Sequence, residues 1–350
     1  MLLYNQKYID SLRKSIERFP YWNELEGNTI LITGATGLVC SYIVDMIMLY
    51  DEINHTDIKV IITGRDEQKA INRFEKWFFT GNLNFVKQDL SEPLNITQRS
   101  DYIIHGAGNA YPALFDKNPV GTMKTALFGT DNLLEYAVRS SVKNFVYISS
   151  GEVYGERDIE SGVDESFCGQ TDYMQARSCY PVSKMAAETL CASYSKQYNL
   201  HTNVARLCHT YGPTMTRDDN RVINQFLRNV LDGQDIIMKS SGSKIRSYCY
   251  VADAVIGLLY ILLKGENSTA YNVAYEDSVV SIREIAQMSA EIAGKALLIS
   301  SNEEAGGTSI EKSILNNIRL KELGFTGLYN MKKGLEEAYL ILKEECNEKD

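Results

Sequence analysis

The chain has 350 residues and carries 36 lysines and arginines against 45 aspartates and glutamates, a formal net charge of −9. That balance argues against a polyanion partner such as DNA or RNA, while leaving room for a local site that takes a small phosphate ligand. Hydrophobic residues at 44 % and charged residues at 23 % exclude wholesale disorder, and the length suffices for one large α/β domain with an appended lobe.

Residues Met1 to Glu26 read as a helical extension, with Ile9, Leu12, Ile16 and Phe19 at helical spacing. Lys7, Asp10, Arg13, Lys14, Glu17 and Arg18 interrupt its apolar residues, so a cleavable secretion signal is not expected. Short β-branched and apolar runs then recur at Thr29–Thr33, Lys59–Thr63, Leu83–Val86, Tyr102–His105, Phe145–Ser149 and Thr202–Arg206. Amphipathic stretches separate most of them, the pattern of a parallel sheet covered by helices on both faces. The expected fold is α/β, a doubly wound Rossmann-type parallel sheet.

After Tyr211-Gly212-Pro213 the alternation becomes irregular. A polar loop at Arg217–Asn220, a helix around Val222–Leu231, a strand near Ile236–Met238 and helices near Val251–Leu263 and Ile282–Ala293 predict a smaller C-terminal α+β lobe. The division expected is an extension over 1–26, the Rossmann-type domain over 27–212, a lobe over 213–343 and a frayed, charged tail over 344–350. A segment near 244–263 is expected to return to the first domain. The longest apolar stretch, Val255–Leu263, is half of the roughly 18 residues that a membrane span needs. Seven cysteines at 40, 168, 179, 191, 208, 249 and 346 form no CxxC pair and have no interleaved histidines. No disulfide framework, zinc site or other metal is expected, and a reducing cytoplasm fits best.

Thr33-Gly34-Ala35-Thr36-Gly37-Leu38-Val39-Cys40 sits between the first strand and a helix. Gly34 and Gly37 let the backbone turn tightly against a pyrophosphate, whose charge the helix N-terminus then meets. Cys40 stands where a third glycine gives the closest helix–strand contact, so a slight shift is expected there. At the end of the second strand Arg65 suits a 2′-phosphate, and hence NADP, but equally suits stacking on adenine, while Asp66 lies within reach of a ribose. The residues leave NAD and NADP open.

Tyr180 and Lys184 lie one helical turn apart. An ammonium beside a phenol, with an oxidised nicotinamide near, favours the phenolate and makes it a base for a sugar hydroxyl. Ser150 follows a central strand and points into the ligand crevice, where it can donate to or accept from the same hydroxyl. Glu152 can work as an acid–base group or hold a sugar hydroxyl.

With these residues go Ile103-Ile-His105-Gly-Ala107, Ser149-Ser-Gly-Glu-Val-Tyr-Gly155, Arg206-Leu-Cys-His-Thr-Tyr-Gly-Pro213, Arg246-Ser-Tyr-Cys-Tyr-Val-Ala-Asp253, Tyr271-Asn-Val-Ala274 and Leu323-Gly-Phe325. Over roughly 27–343 the chain resembles the extended short-chain dehydrogenases/reductases, the sugar-nucleotide epimerase/dehydratase family. Within it Arg177-Ser-Cys-Tyr180, Thr210-Tyr-Gly-Pro-Thr-Met215, Asn220-Arg-Val-Ile-Asn-Gln-Phe226 and Gly242-Ser-Lys-Ile-Arg246 look most like the UDP-glucuronate decarboxylases. The resemblance implies a nucleoside-diphosphate-sugar substrate, transient oxidation at the sugar C4 by NAD, a homodimer, and no nucleic-acid or membrane partner. It implies Ser150, Glu152, Tyr180 and Lys184 as catalytic residues. Gly34, Thr36, Gly37, Leu38, Val39, Arg65, Asp89, Leu90, Gly106, Ala107 and Gly108, with Tyr180 and Lys184, are implied on the cofactor, and His209, Arg221 and Arg246 on the substrate.

The chain departs from the family pattern at Gly151, where dehydratases carry an aspartate and decarboxylases a hydroxyl residue. It departs again at His209 and Ala126, both usually asparagine, and at Gly64-Arg65, which lacks the acid usual for NAD. Decarboxylation is the first expectation, epimerisation the second and 4,6-dehydration the third. An NADPH-dependent ketosugar reductase and a non-catalytic redox sensor are the alternatives.

Overall fold

The computed structural model describes residues 2–108, 112–155, 161–216, 219–300 and 310–347. Helix α1 (Gln6–Arg18) forms the N-terminal extension, started by Asn5, whose side chain accepts from the Tyr8 backbone N–H at 2.9 Å. Then come β1 (Thr29–Thr33), α2 (Leu38–Asn54), β2 (Lys59–Gly64), α3 (Glu67–Phe78) and β3 (Leu83–Lys87). Strand β4 (Tyr102–His105) leads through the short α4 (Pro112–Lys117) into α5 (Pro119–Ser140), followed by β5 (Asn144–Ser150), α6 (Cys179–Tyr198) and β6 (Thr202–Leu207). The remainder comprises β7 (His209–Tyr211), α7 (Val222–Leu231), β8 (Ile236–Met238), β9 (Ile245–Tyr250), α8 (Val251–Lys264) and β10 (Thr269–Val273). It ends with β11 (Val279–Ser281), α9 (Ile282–Ala293), β12 (Leu297–Ile299), β13 (Lys312–Ser313), α10 (Ile318–Glu322) and α11 (Met331–Asn347).

Seven strands make one parallel sheet in the order β10-β6-β5-β4-β1-β2-β3. Alternate side chains of the sheet feed two cores. Ile30 and Ile32 of β1 join α1, α2 and α8 on one face, while Leu31, Ile61 and Ile103 pack with Leu133 of α5 and Ala187 of α6 on the other. A strand buried on both sides has no polar position to spare, which explains the continuous apolar runs. The order reverses between β4 and β2 around β1, and an α/β sheet opens a crevice at the carboxyl ends of its strands at such a reversal.

The C-terminal part carries its own small sheet. Strand β9 pairs with β7 and β13 in parallel and β11 antiparallel, and β8 pairs with β12. The segment that rejoins the first sheet is α8 with β10, so it spans 251–273 rather than 244–263. Strand β9 stays with the smaller sheet, because its register partners are His209–Tyr211 and Val279–Ser281. Helix α11 runs to Asn347, so residues 344–347 of the expected tail are helical, and before them Ile341 is buried and receives the Asn5 amide on its carbonyl at 3.0 Å. Residues 348–350 of the expected tail, and 217–218 of the expected polar loop, lie outside the described residues.

Candidate active site

Every residue expected at a site lines one cleft of roughly 1480 Å³ at the carboxyl ends of the central strands. At its deep end the β1–α2 turn is fixed by Gly34, whose φ is +68°. A Cβ there would stand 2.6 Å from the Gly106 carbonyl oxygen, so the position admits no side chain. Helix α2 begins at Gly37 without a side-chain cap, so its first N–H groups face the cleft available to an anion. Cys40 is buried, and its Sγ fills the space that a Cβ on Gly106 would need. The shift expected from the missing third glycine is absorbed across the sheet, by a glycine on the neighbouring strand's loop.

That loop is held from below. The Ala107 N–H donates to Thr33 Oγ1 at 3.2 Å, and Thr33 Oγ1 lies 2.7 Å from His105 Nδ1. On the ring's other side Nε2 lies 3.1 Å from Thr130 Oγ1, which itself donates to the Ala126 carbonyl at 2.6 Å. The hydrogen bonds assign the proton to Nε2, and burial pushes the His105 pKa down to about 3, so the ring is a neutral link.

At the end of β2, Arg65 stands 3.9 Å from Asp89, and both are exposed. Asp66 lines the cleft and also caps α3, accepting from the Lys69 N–H on one carboxylate oxygen at 3.0 Å. Asp89 accepts from the Ser91 hydroxyl at 2.7 Å and its N–H at 3.0 Å, which holds its carboxyl below the usual range. Thr63, missed by the sequence reasoning, lines the cleft with its buried hydroxyl unpartnered among the described residues. A hydroxyl left open beside a glycine-rich turn and an uncapped helix fits an adenine dinucleotide.

Ser150 ends β5, and Glu152 lies in the 3₁₀ turn that follows, its N–H donating to Ser150 Oγ at 3.2 Å. Tyr180 and Lys184 sit in the first two turns of α6. Burial, with the Glu152 charge second, pushes the Tyr180 phenol up to about 12, while the Ser150 hydroxyl, Arg221 and Arg177 pull it down. Lys184 lies close to the phenol ring and is also held by a backbone carbonyl. Its ammonium donates to the Ile148 carbonyl at 2.7 Å and lies 5.9 Å from the Tyr180 ring centre, and burial lowers its pKa to about 8.

Arginines gather at the other end. Arg221 is gripped by the buried Asp219 through Nε at 3.0 Å and Nη2 at 2.5 Å. Arg246 donates to the carbonyls of Ile245, Glu311 and Ile310 at 2.8, 2.8 and 2.6 Å, and His209 packs its ring 5.4 Å from Tyr248. Pre-oriented guanidinium forks of this kind suit paired phosphate oxygens. Arg177, which the sequence reasoning used only as a likeness, reaches Glu152 at 3.0 Å and stands over the Phe115 ring, which in turn stacks on Tyr180 at 4.3 Å and 15°. Phe115 gave no local signal, because its position belongs to no spacing pattern, and Arg177 entered only through the Arg177-Ser-Cys-Tyr180 likeness. Among the described residues no helix is long and apolar enough to cross a membrane.

The model of the NAD dependent epimerase/dehydratase family matches residues 30–274. UDP-glucuronic acid decarboxylase 6 of Arabidopsis thaliana is 34 % identical over 70 % of this chain and 68 % of its own length. UDP-glucuronic acid decarboxylase 1 of Xenopus tropicalis is 32 % identical over 96 % of this chain and 78 % of its own. The UDP-glucose 4-epimerase of Thermotoga maritima, solved with UDP-glucose, shares the fold at 22 % identity and a TM-score of 0.78, covering 91 % of this chain and 99 % of that one. With a glycine-rich turn, a serine, a glutamate and a tyrosine–lysine pair around one cleft, and with matches on this scale, the chain belongs to the NAD dependent epimerase/dehydratase family and is an enzyme of the extended short-chain dehydrogenase type.

Proposed function

We propose that the chain decarboxylates UDP-glucuronate through transient oxidation of the sugar C4. The observation that carries this is the convergence of Ser150, Glu152, Tyr180 and Lys184 on one wall of the cleft whose deep end is the Gly34–Gly37 turn. NAD, when bound between that turn, Asp89 and the Gly106–Gly108 segment, supplies reversible oxidation at C4. Tyr180, as the phenolate, takes the proton of the C4 hydroxyl and becomes neutral, Ser150 donates to the phenolate oxygen before that transfer, and Lys184 fixes the position of the phenol's neighbour strand through the Ile148 carbonyl. A ketone at C4 is β to the C5 carboxylate, so the bond from C5 to the carboxylate breaks into carbon dioxide and an enolate, C5 takes a proton from water, and Tyr180 returns its own proton to the C4 oxygen when C4 is reduced. Arg221 and Arg246 neutralise the diphosphate. Incubation with UDP-glucuronate and no added cofactor should give a sugar nucleotide lighter by carbon dioxide in a mass spectrum; an unchanged mass overturns the reading.

A second reading concerns the cofactor. Arg65 and Lys69 line the cleft at the end of β2, two cations that favour a 2′-phosphate and hence NADP. Arg65→Ala should then weaken NADP at least tenfold more than NAD in fluorescence titration, whereas equal losses would mean stacking on adenine. We also infer a homodimer through α5 and α6, which pack side by side and leave Phe128 and Tyr198 exposed. Light scattering at monomer mass would refute it.

A further inference from the structure

Strand β5 turns its side chains alternately to the two faces of the sheet. Val146 and Ile148 join the core with α2 and α8, whereas Phe145 and Tyr147 join the one under α5 and α6. Lys184 of α6 comes down on that second face. Its ammonium stands 4.6 Å from the centre of the Tyr147 ring, nearer than the 5.9 Å to the Tyr180 ring, and donates to the Ile148 carbonyl. The lysine is buried, and Glu188, one turn further along α6, is taken by Arg206 and Ser149. Among the described residues no carboxylate pairs with Lys184. The other titratable groups that face it are Cys40 of α2, His105 of β4 and Cys191 of its own helix. Burial keeps both thiols protonated and the imidazole neutral, so none of them supplies a counter-charge at neutral pH. A buried ammonium without an ion pair is costly unless another group meets its charge, and the face of an aromatic ring does so.

We propose that Tyr147 is a positioning residue, whose ring face seats the Lys184 ammonium and keeps it charged beside Ser150 and Tyr180. The inference rests on the reading of Lys184 as one of the catalytic group and adds the residue that holds it. Burial pushes the Tyr147 phenol well above its ordinary pKa, so Tyr147 acts through its ring and not as an anion. The ring is itself fixed, fully buried and tilted against His105 at 5.5 Å. Its hydroxyl has no hydrogen-bond partner among the described residues, which leaves the ring as the working part. The seat matters because burial has already brought Lys184 down to about 8, and a further fall carries it through neutrality.

The test is an NMR titration of Lys184 in the full chain, with carbon-13 at the lysine Cε and the signal assigned by its loss in Lys184→Arg. Wild type is compared with Tyr147→Phe and with chains carrying difluorinated or pentafluorinated phenylalanine at position 147. Those rings keep the shape that the core packs around while losing the negative potential of the face. Tyr147→Phe should leave the Lys184 midpoint in place, and fluorination should lower it stepwise, by about one pH unit for the pentafluorinated ring. A midpoint that stays fixed along the series, rises with fluorination, or falls as far in Tyr147→Phe as in the fluorinated chains overturns the proposal. The alkaline limb of turnover with UDP-glucuronate should move down by the same interval. A midpoint that follows the ring while that limb stays in place, or while no turnover is seen, leaves the seat standing and overturns the part given to Lys184 in the hydride step.

Discussion

Tyr180 is a buried phenol whose environment opposes ionisation: burial and Glu152 act against Ser150, Arg221 and Arg177. Its acidity is therefore distributed over several neighbours, and removing the hydroxyl removes what all of them act upon. Tyr180→Phe should lower turnover by about 10²–10⁴-fold while cofactor affinity, measured by fluorescence titration, stays within twofold. Full turnover would exclude the phenol as the base. Gly106 offers a packing counterpart. An alanine there would overlap Cys40 Sγ and crowd Ile148, at a cost of about 1–3 kcal/mol. Urea denaturation should record that loss for Gly106→Ala, and Cys40→Ala in the same chain should return most of it. Additive losses would show that the two positions do not compete for one space.

Among the elements, α1 is tied to the sheet's helices by a buried polar knot as well as by packing. Asp45 of α2 accepts from the Tyr8 hydroxyl of α1 at 2.6 Å and from Trp77 Nε1 of α3 at 2.9 Å, and pairs with Arg73 of α3. Asp45 is fully buried, so it joins three helices through one carboxylate. Asp45→Ala should cost about 3–5 kcal/mol, because it leaves a guanidinium, a phenol and an indole N–H without their acceptor. The midpoint of urea unfolding measures it, and a loss below 1 kcal/mol would mean that water replaces the carboxylate. A similar bridge places α6: Glu188 accepts from Arg206 of β6 at 2.7 Å and from Ser149 of β5 at 2.5 Å. Tyr180 and Lys184 are thereby held on a helix that cannot slide along the strand bearing Ser150.

For the molecule as a whole, one cluster of buried side chains runs from Leu12 of α1 through Ile32 and Val255 to Leu335 of α11, so the extension and the C-terminal helix share a core with the sheet. Stability should then respond globally to a single buried group. His105 stays neutral down to about pH 3 when folded, whereas an unfolded imidazole titrates near 6.5. Between those values the unfolded chain binds a proton that the native chain does not. The contribution of His105 is therefore present above about pH 6.5 and is lost on acidification by about 1.4 kcal/mol per pH unit. Denaturation at pH 6.5 and 5.0 should show that slope in the wild type and a flatter one in His105→Gln. Equal slopes would mean that His105 already titrates in the native state.

The strands of the central sheet and the helices at 222–231 and 282–293 were legible because each follows a local rule: continuous apolar runs for buried strands, a 3.6-residue stripe for helices. The glycine turn, Ser150, Glu152, Tyr180 and Lys184 were legible because their chemistry depends on spacing within a few residues or on a likeness of motif. What escaped depends on residues distant in sequence. Strand β10 is a five-residue run that becomes a sheet edge only by lying against β6, and β9 is drawn to the smaller sheet by β7 and β11. Asp66 also caps α3 and Lys184 also donates to the Ile148 carbonyl, partners that spacing along the chain does not show. The sequence by itself determined most elements of the central sheet, the fold class and the chemistry at hand. Tertiary structure decided which partner each charge takes, since desolvation and hydrogen-bond geometry at a buried site are set by whichever segments are packed against it.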